Sequence, residues 1–303
     1  MFRIRKRAEQ LGRVWTGVAV MALGIFAGPQ RCVAQEPPYF VTYSHAMEEP
    51  GNLEVEFKGT QAAPKNDNAF GGATVEFEYG AKAWWTTEVY LSGQTTANDS
   101  TVFVGFRWEN RFRPLMEEHR VNPVLYFEYE DINAADRAFL EVVGNDGVAD
   151  LAARNAEARS DVQREMEMKL ILSSNAQGWN FSENFISEKN MAASDPWEFG
   201  YAVAASRPLT LRAGARECVF CRENFVAGAE MYGGLGTTDS PGLHDTSHYV
   251  APTVGWNIPR GPTIQFSPGF GLNDNSMKVL WRVGAQYEFQ QFFGRFHRAS
   301  EVR

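Results

Sequence analysis

Short alternating segments in which every second residue is charged constrain this chain more than anything else in it. Leu53-Glu54-Val55-Glu56-Phe57-Lys58 is the first, Val75-Glu76-Phe77-Glu78-Tyr79 follows, and Glu165-Met166-Glu167-Met168-Lys169-Leu170 repeats the theme. Side chains on a strand alternate faces with period two, so each segment has one apolar face and one carboxylate face. A soluble sandwich can use such a pattern. Many such segments with aromatic apolar faces, placed behind an export leader, point instead to a closed barrel in an outer membrane.

The leader is read from Arg3, Arg5, Lys6, Arg7 and Arg13, followed by the apolar stretch from Val14 to Gly28 and the small-residue end Cys32-Val33-Ala34. This is signal-peptide composition over 1–34, with cleavage expected after Ala34. The chain of 303 residues has a formal net charge of −8, and removing the leader's +5 leaves −13. An acidic protein of that kind repels nucleic acid and favours cations or basic partners. Mean hydropathy is −0.35. No later stretch is apolar for long enough to be a spanning helix, so a membrane span has to be made of strands.

The alternation and its turn signals predict a transmembrane antiparallel up-and-down β-barrel of about twelve strands. The expected strands cover 51–62, 69–80, 83–95, 100–113, 121–132 and 164–175, then 178–190, 195–207, 223–236, 247–258, 262–272 and 277–289. Residues 35–50 are expected to be a periplasmic segment, 51–289 the barrel and 290–303 a tail. The Ala-, Glu- and Arg-rich stretch within 133–163 reads as one long, partly helical loop. Pro123, Pro252 and Pro268 fall inside expected strands, where each removes a ladder hydrogen bond, and so mark bulges or strand ends.

Parity assigns the faces. Trp85, Val89 and Leu91, then Val102, Val104, Phe106 and Trp108, face outward, as do Leu125, Phe127, Trp281 and Val283. The opposite face collects Glu54, Glu56, Glu76, Glu78, Glu88, Glu109, Glu128, Glu130, Glu165, Glu167, Glu198, Glu230 and Glu288, with Lys58, Arg107, Lys169, Lys278 and Arg282 as its bases. Charged groups cannot face hydrocarbon, so this face lines the lumen. A wet acidic lumen makes a cation-preferring pore, whereas a packed one makes a closed Glu–Arg network.

Other chemistry is sparse. Cys218 and Cys221 are the two cysteines left after the leader, and in an oxidising compartment they read as a disulfide closing a turn, with a redox or metal role as the alternative. His244-Asp245-Thr246-Ser247-His248 offers a Ser/His pair of the kind a membrane lipid hydrolase uses, though its loop composition argues against it. No metal site and no cofactor are expected. The implied partners are outer-membrane lipid, the barrel-assembly machinery and small, cationic solutes.

Phe70-Gly71-Gly72-Ala73-Thr74-Val75-Glu76-Phe77-Glu78-Tyr79-Gly80 and Thr86-Thr87-Glu88-Val89-Tyr90-Leu91 resemble the opening strand–turn–strand of small transporter-like barrels associated with meta-pathway phenol degradation. More broadly, the chain resembles Gram-negative outer-membrane β-barrel proteins over about residues 50–289. The resemblance implies a passive channel or transporter in the outer membrane and no enzyme activity. The departure is the tail. Phe289 suits the terminal aromatic that assembly machinery reads, yet Gln290 to Arg303 continue past it.

Overall fold

The computed structural model describes residues 36–64, 68–137, 153–211, 218–243 and 245–293. The leader expected over 1–34 and the centre of the long loop lie outside them. The described residues form twelve antiparallel strands closed into one barrel, each paired with its neighbours in sequence and β1 paired with β12. The strands are β1 Leu53–Ala62, β2 Phe70–Lys82, β3 Trp85–Thr96, β4 Thr101–Phe112, β5 Asn122–Asn133 and β6 Val162–Ala176. They continue as β7 Trp179–Asn190, β8 Glu198–Pro208, β9 Phe225–Thr237, β10 His248–Asn257, β11 Thr263–Gly271 and β12 Val279–Phe289. Closure leaves no free edge, so every strand finds two partners.

The outer surface is apolar. Phe77, Leu91, Phe106, Trp108, Phe127, Phe185, Phe266 and Trp281 stand exposed around the wall. Area of that kind costs about 25 cal/mol per Å² in water, so the belt requires hydrocarbon around it. Aromatic stacks collect at the end where the odd-numbered strands begin. Trp84, Trp85 and Phe112 stack there, as do Trp179 with Phe181, and Trp256 with Phe220 and Phe225. Phe289 packs on Phe292 at the same end. Amphipathic rings at one rim are an interfacial girdle. No helix among the described residues is long and apolar enough to cross a membrane. The barrel crosses it with strands.

The ladder shifts register at Gly80/Lys82, at Ser92/Gly93 and at Phe199/Gly200, and two departures from simple alternation bear on the faces and the wall. Gly105, with φ 154°, inserts an extra residue where β3 shifts register between Ser92 and Gly93. A Cβ there would lie 2.2 Å from the Asp131 carbonyl oxygen, so only glycine fits. The bulge reverses the parity of the first half of β4. Phe103 points out, while Val102 and Val104, expected on the outer face, are buried inside. The second feature is a gap in the ladder. Pairing of β10 with β11 stops after Val250–Phe270 and resumes at Val254–Phe266, and that register sets Pro252 opposite Pro268. Two residues without an N–H face each other, so the rungs between them cannot form.

Residues 36–50 are not a segment hanging below the barrel. They fold into the lumen, where Tyr39, Val41, Thr42, Ser44, His45 and Glu48 are buried. The expected periplasmic placement fails because this stretch carries backbone and side-chain groups that the inner wall satisfies one by one. The described ends of the long loop also turn inward at the opposite mouth. They contain one helical turn, Asn155–Ala158, and Ala135 and Ala158 pack there on Val102.

Candidate functional site

The strand register turns the alternating glutamates into one continuous feature. Glu288 lies opposite Glu54, Glu54 opposite Glu78, Glu78 opposite Glu88, and Glu88 opposite Glu109. The row continues from Glu109 to Glu128, Glu167, Glu188 and Glu198. Each of these nine glutamates sits on the next strand, from β12 through β1 to β8. Strands in a barrel tilt to its axis, so a row along the hydrogen-bond direction climbs as it winds. Glu54 is the second residue of β1 and Glu198 is the first of β8. The spiral therefore runs from one mouth to the other.

Like charges directly opposite one another destabilise a sheet. Cationic side chains on the same inner face answer them. Arg111 contacts Glu78 and Glu88 through its Nη2, and its Nε lies 3.1 Å from Glu109. Arg107 holds Glu130 at 2.5 Å and Asp136, from the long loop, at 2.7 Å. Lys58 bridges Glu56 at 3.3 Å and Glu76 at 2.9 Å, and Lys169 pairs with Glu167 at 2.7 Å. Lys169 Nζ also sits 4.1 Å from the centre of the Tyr126 ring, a desolvated cation–π contact. Glu130, Glu165 and Glu188 bring carboxylate oxygens within 4.8 Å of one another, with Arg107 on Glu130.

Of the residues placed on the inner face from sequence, Lys278 does not hold that place, since it is exposed in the turn before β12, where strand parity no longer applies; the others sit on inward-facing positions. Glu54, Glu56, Glu76, Glu88, Glu128, Glu130 and Glu167 are buried with Arg107, Lys169 and Arg282, whereas Glu78, Glu165 and Glu198 are half-buried. Arg282 sits on β12, between Thr60 of β1 and Ser267 of β11. It donates to the Tyr232 hydroxyl and lies over that ring. The β8–β12 side of the lumen holds an apolar cluster, with Tyr232 stacked on Tyr249 beside Leu280, Ala251 and Val41, among buried polar groups that include Glu230, Gln265 and Gln286. The lumen thus has an ionic arc and a mixed arc with an apolar cluster and fewer charges.

Arg111 was not among the sequence-named residues, although it shares parity with Arg107. The inner tyrosines were missed as well, because an aromatic on an alternating strand reads as lipid-facing. The Tyr90 hydroxyl contacts both Glu88, at 2.5 Å, and Glu109, and so stands between two members of the spiral.

The segment 36–50 spans the two arcs. Glu230 accepts three successive backbone N–H groups, from Phe40, Val41 and Thr42, at 2.8, 2.9 and 2.7 Å. Asn184 accepts from Tyr43 N at 2.6 Å and donates to Tyr43 O at 2.9 Å. The Tyr43 hydroxyl reaches Glu109 at 3.0 Å, and Arg111 donates to Ala46 O at 3.3 Å. His45 joins Ser173 at 2.8 Å and Glu118 at 3.1 Å. Burial lowers the His45 pKa, and the Glu118 carboxylate opposes that shift. Glu48, buried and near Glu36 and Glu288, has its pKa pushed up to about 8.

Cys218 and Cys221 are joined as a disulfide in the β8–β9 connection. His244 lies outside the described residues. His248 contacts Thr246 Oγ1 at 3.0 Å, Leu243 O at 3.3 Å and the Tyr201 hydroxyl at 3.1 Å, so its ring nitrogens are engaged away from Ser247.

No protein-family model matches the chain. No curated protein matches it either. Among solved structures it is similar in shape to several outer-membrane barrels. An outer membrane channel from Pseudomonas putida F1 is 9% identical, with a TM-score of 0.49 over 84% of this chain and 100% of that one. The KdgM porin is 8% identical, with a TM-score of 0.48 over 78% and 99%. The translocator domain of the autotransporter NalP from Neisseria meningitidis is 10% identical, with a TM-score of 0.40 over 93% and 96%.

Proposed function

We propose that the protein is a passive channel for small solutes in the outer membrane of a Gram-negative bacterium, with a preference for cations. The observation that carries this reading is the spiral of glutamates from Glu54 near one mouth to Glu198 at the other. Carboxylates spaced along a low-dielectric wall raise the local cation concentration and exclude anions. A cation entering beside Glu54 meets successive carboxylates on adjacent strands. The segment 36–50 narrows the path, which limits passage to small solutes or requires the segment to shift. The likeness of the β2–β3 hairpin to barrels of meta-pathway phenol degradation remains a proposal of kinship, resting on Phe70 to Gly80 and Thr86 to Leu91.

One observation favours a second reading. Arg107, Glu130 and Asp136 form a buried ion cluster in which each side chain is under a tenth exposed. Such a network suits a closed, structural or adhesive barrel. Swelling of proteoliposomes separates the two. Faster swelling in an iso-osmotic cationic solute, such as lysine hydrochloride, than in sodium glutamate supports the channel. No swelling in either, from folded protein, supports the closed barrel.

A further inference from the structure

Between the inserted segment and the wall from β11 through β12 and β1 to β4, where Arg111 also lines it, lies a cavity of about 90 Å³, room for only a few water molecules. Its lining includes Glu54, Glu56, Glu76, Lys58, Gln265 and Thr42. Most of the lining groups have partners, and following those partners shows which do not. Gln286 Nε2 donates to Glu54 at 3.1 Å and to Glu36 at 3.2 Å, so its Oε1 is left as an acceptor. Gln265 Nε2 donates to that oxygen at 2.8 Å. The orientation of the Gln265 amide is thereby set, and a flipped amide would bring two carbonyl oxygens together. Gln265 Oε1 then faces the cavity with no hydrogen-bond partner, although the residue is only 5% exposed.

Glu56 Oε1 is in the same position. Its other oxygen contacts Lys58, but Oε1 is buried without a donor. The two oxygens converge beside Gly284. An ideal Cβ on that glycine would lie 3.0 Å from Glu56 Oε1 and 3.4 Å from Gln265 Oε1. Thr42 Oγ1, from the inserted segment, is a third buried oxygen without a partner on this cavity. Buried acceptors without donors are costly, and a carboxylate oxygen most of all.

We propose that this cavity is a binding site for a small, partly dehydrated monovalent cation such as K⁺, held by Glu56 Oε1 and Gln265 Oε1, with Thr42 Oγ1 as a further ligand. Hard cations take oxygen ligands of this kind, and carbonyl oxygens replace an alkali ion's hydration shell. The ammonium of Lys58, 3.3 Å from the other Glu56 oxygen, disfavours a divalent ion by repulsion. The lack of a Cβ at Gly284 leaves both oxygens uncrowded. The inference deepens the channel reading by giving the ion a resting position, and it rests on that reading only for cations reaching the lumen.

The test is thermal unfolding of the full chain in detergent micelles, with KCl replacing tetramethylammonium chloride at constant total salt. The midpoint of the native protein rises with K⁺ and saturates, because a ligand bound to the folded state stabilises it by mass action. Gly284→Ala places a methyl group in the site without altering a ligand, and Glu56→Gln supplies an amide donor in place of the ion. Both variants lose the K⁺ shift. A native midpoint that ignores K⁺ overturns the site, and so does a K⁺ shift that persists in Gly284→Ala. A midpoint that depends on pH but not on K⁺ puts a proton between the oxygens and also overturns it. Bilayer current separates this proposal from the channel reading: saturable K⁺ stabilisation without current keeps the site and removes the channel, and current without stabilisation does the reverse.

Discussion

Glu230, on β9, accepts the backbone N–H of Thr42 at 2.7 Å across 188 positions of sequence. The same carboxylate takes the N–H groups of Phe40 and Val41. One side chain thus satisfies a turn of backbone that has no strand to pair with, and it draws residues 36–50 into the barrel.

Glu230→Gln tests that hold. A glutamine offers one acceptor oxygen where the carboxylate offers two, so at least one N–H is orphaned. Each orphan costs about 1–3 kcal/mol, enough to loosen a short segment. A Val41→Cys probe reacts faster with a water-soluble thiol reagent in the Glu230→Gln background than in the native one. Equal rates show that the segment is held by other contacts.

Arg111 binds Glu78, Glu88 and Glu109 at once. Arg111→Met leaves three buried or half-buried carboxylates facing one another, and breaking a buried ion network in this way costs about 3–5 kcal/mol. The urea midpoint at which the compact, heat-modifiable band is lost falls accordingly. Arg111→Lys recovers only part of the loss, because one ammonium cannot reproduce the guanidinium fork. A midpoint unchanged in Arg111→Met contradicts the network's role.

Glu48 sets a pH dependence. Burial first, then repulsion from Glu36 and Glu288, lifts its pKa from 4.5 to about 8 in the folded protein. Between those values the folded state keeps a proton that the unfolded state releases. This group's contribution to stability is therefore fully present below pH 4.5, falls as pH rises through the window, and levels off above about 8. The stability of the native protein declines from pH 5 toward pH 8 more steeply than that of Glu48→Gln. Parallel profiles contradict the assignment.

The barrel was legible because a two-residue period survives any detail of tertiary packing. Expected strands at 51–62 and 164–175 correspond to Leu53–Ala62 and Val162–Ala176. The glutamate face was legible for the same reason. Their alignment into a spiral was not, since that depends on the pairing register of nine strands. The insertion of residues 36–50 left no signal either. Its partners are single side chains, Glu230 and Asn184, far along the chain. Val102 and Val104 were placed on the wrong face because one glycine, Gly105, resets the parity of β4.

Gly105→Ala follows from that last point. The added methyl meets the Asp131 carbonyl and forces β4 and β5 apart or shifts their register. Overpacking of this kind costs about 1–3 kcal/mol. The fraction of protein refolding to the compact band in detergent drops, whereas Gly93→Ala, whose Cβ would stand 3.4 Å from the Val102 carbonyl oxygen, is nearly neutral. Equal refolding yields contradict the bulge as a glycine requirement.

The most direct test of the acidic path is the reversal potential of the purified protein in a planar bilayer under a KCl gradient. The account predicts a potential of the sign that reports cation selectivity, reduced toward zero when Glu54, Glu78, Glu128 and Glu198 are replaced by glutamine. A current without selectivity, or with selectivity unchanged by those replacements, contradicts the spiral as a pathway. No current from folded protein makes its glutamates part of a closed wall.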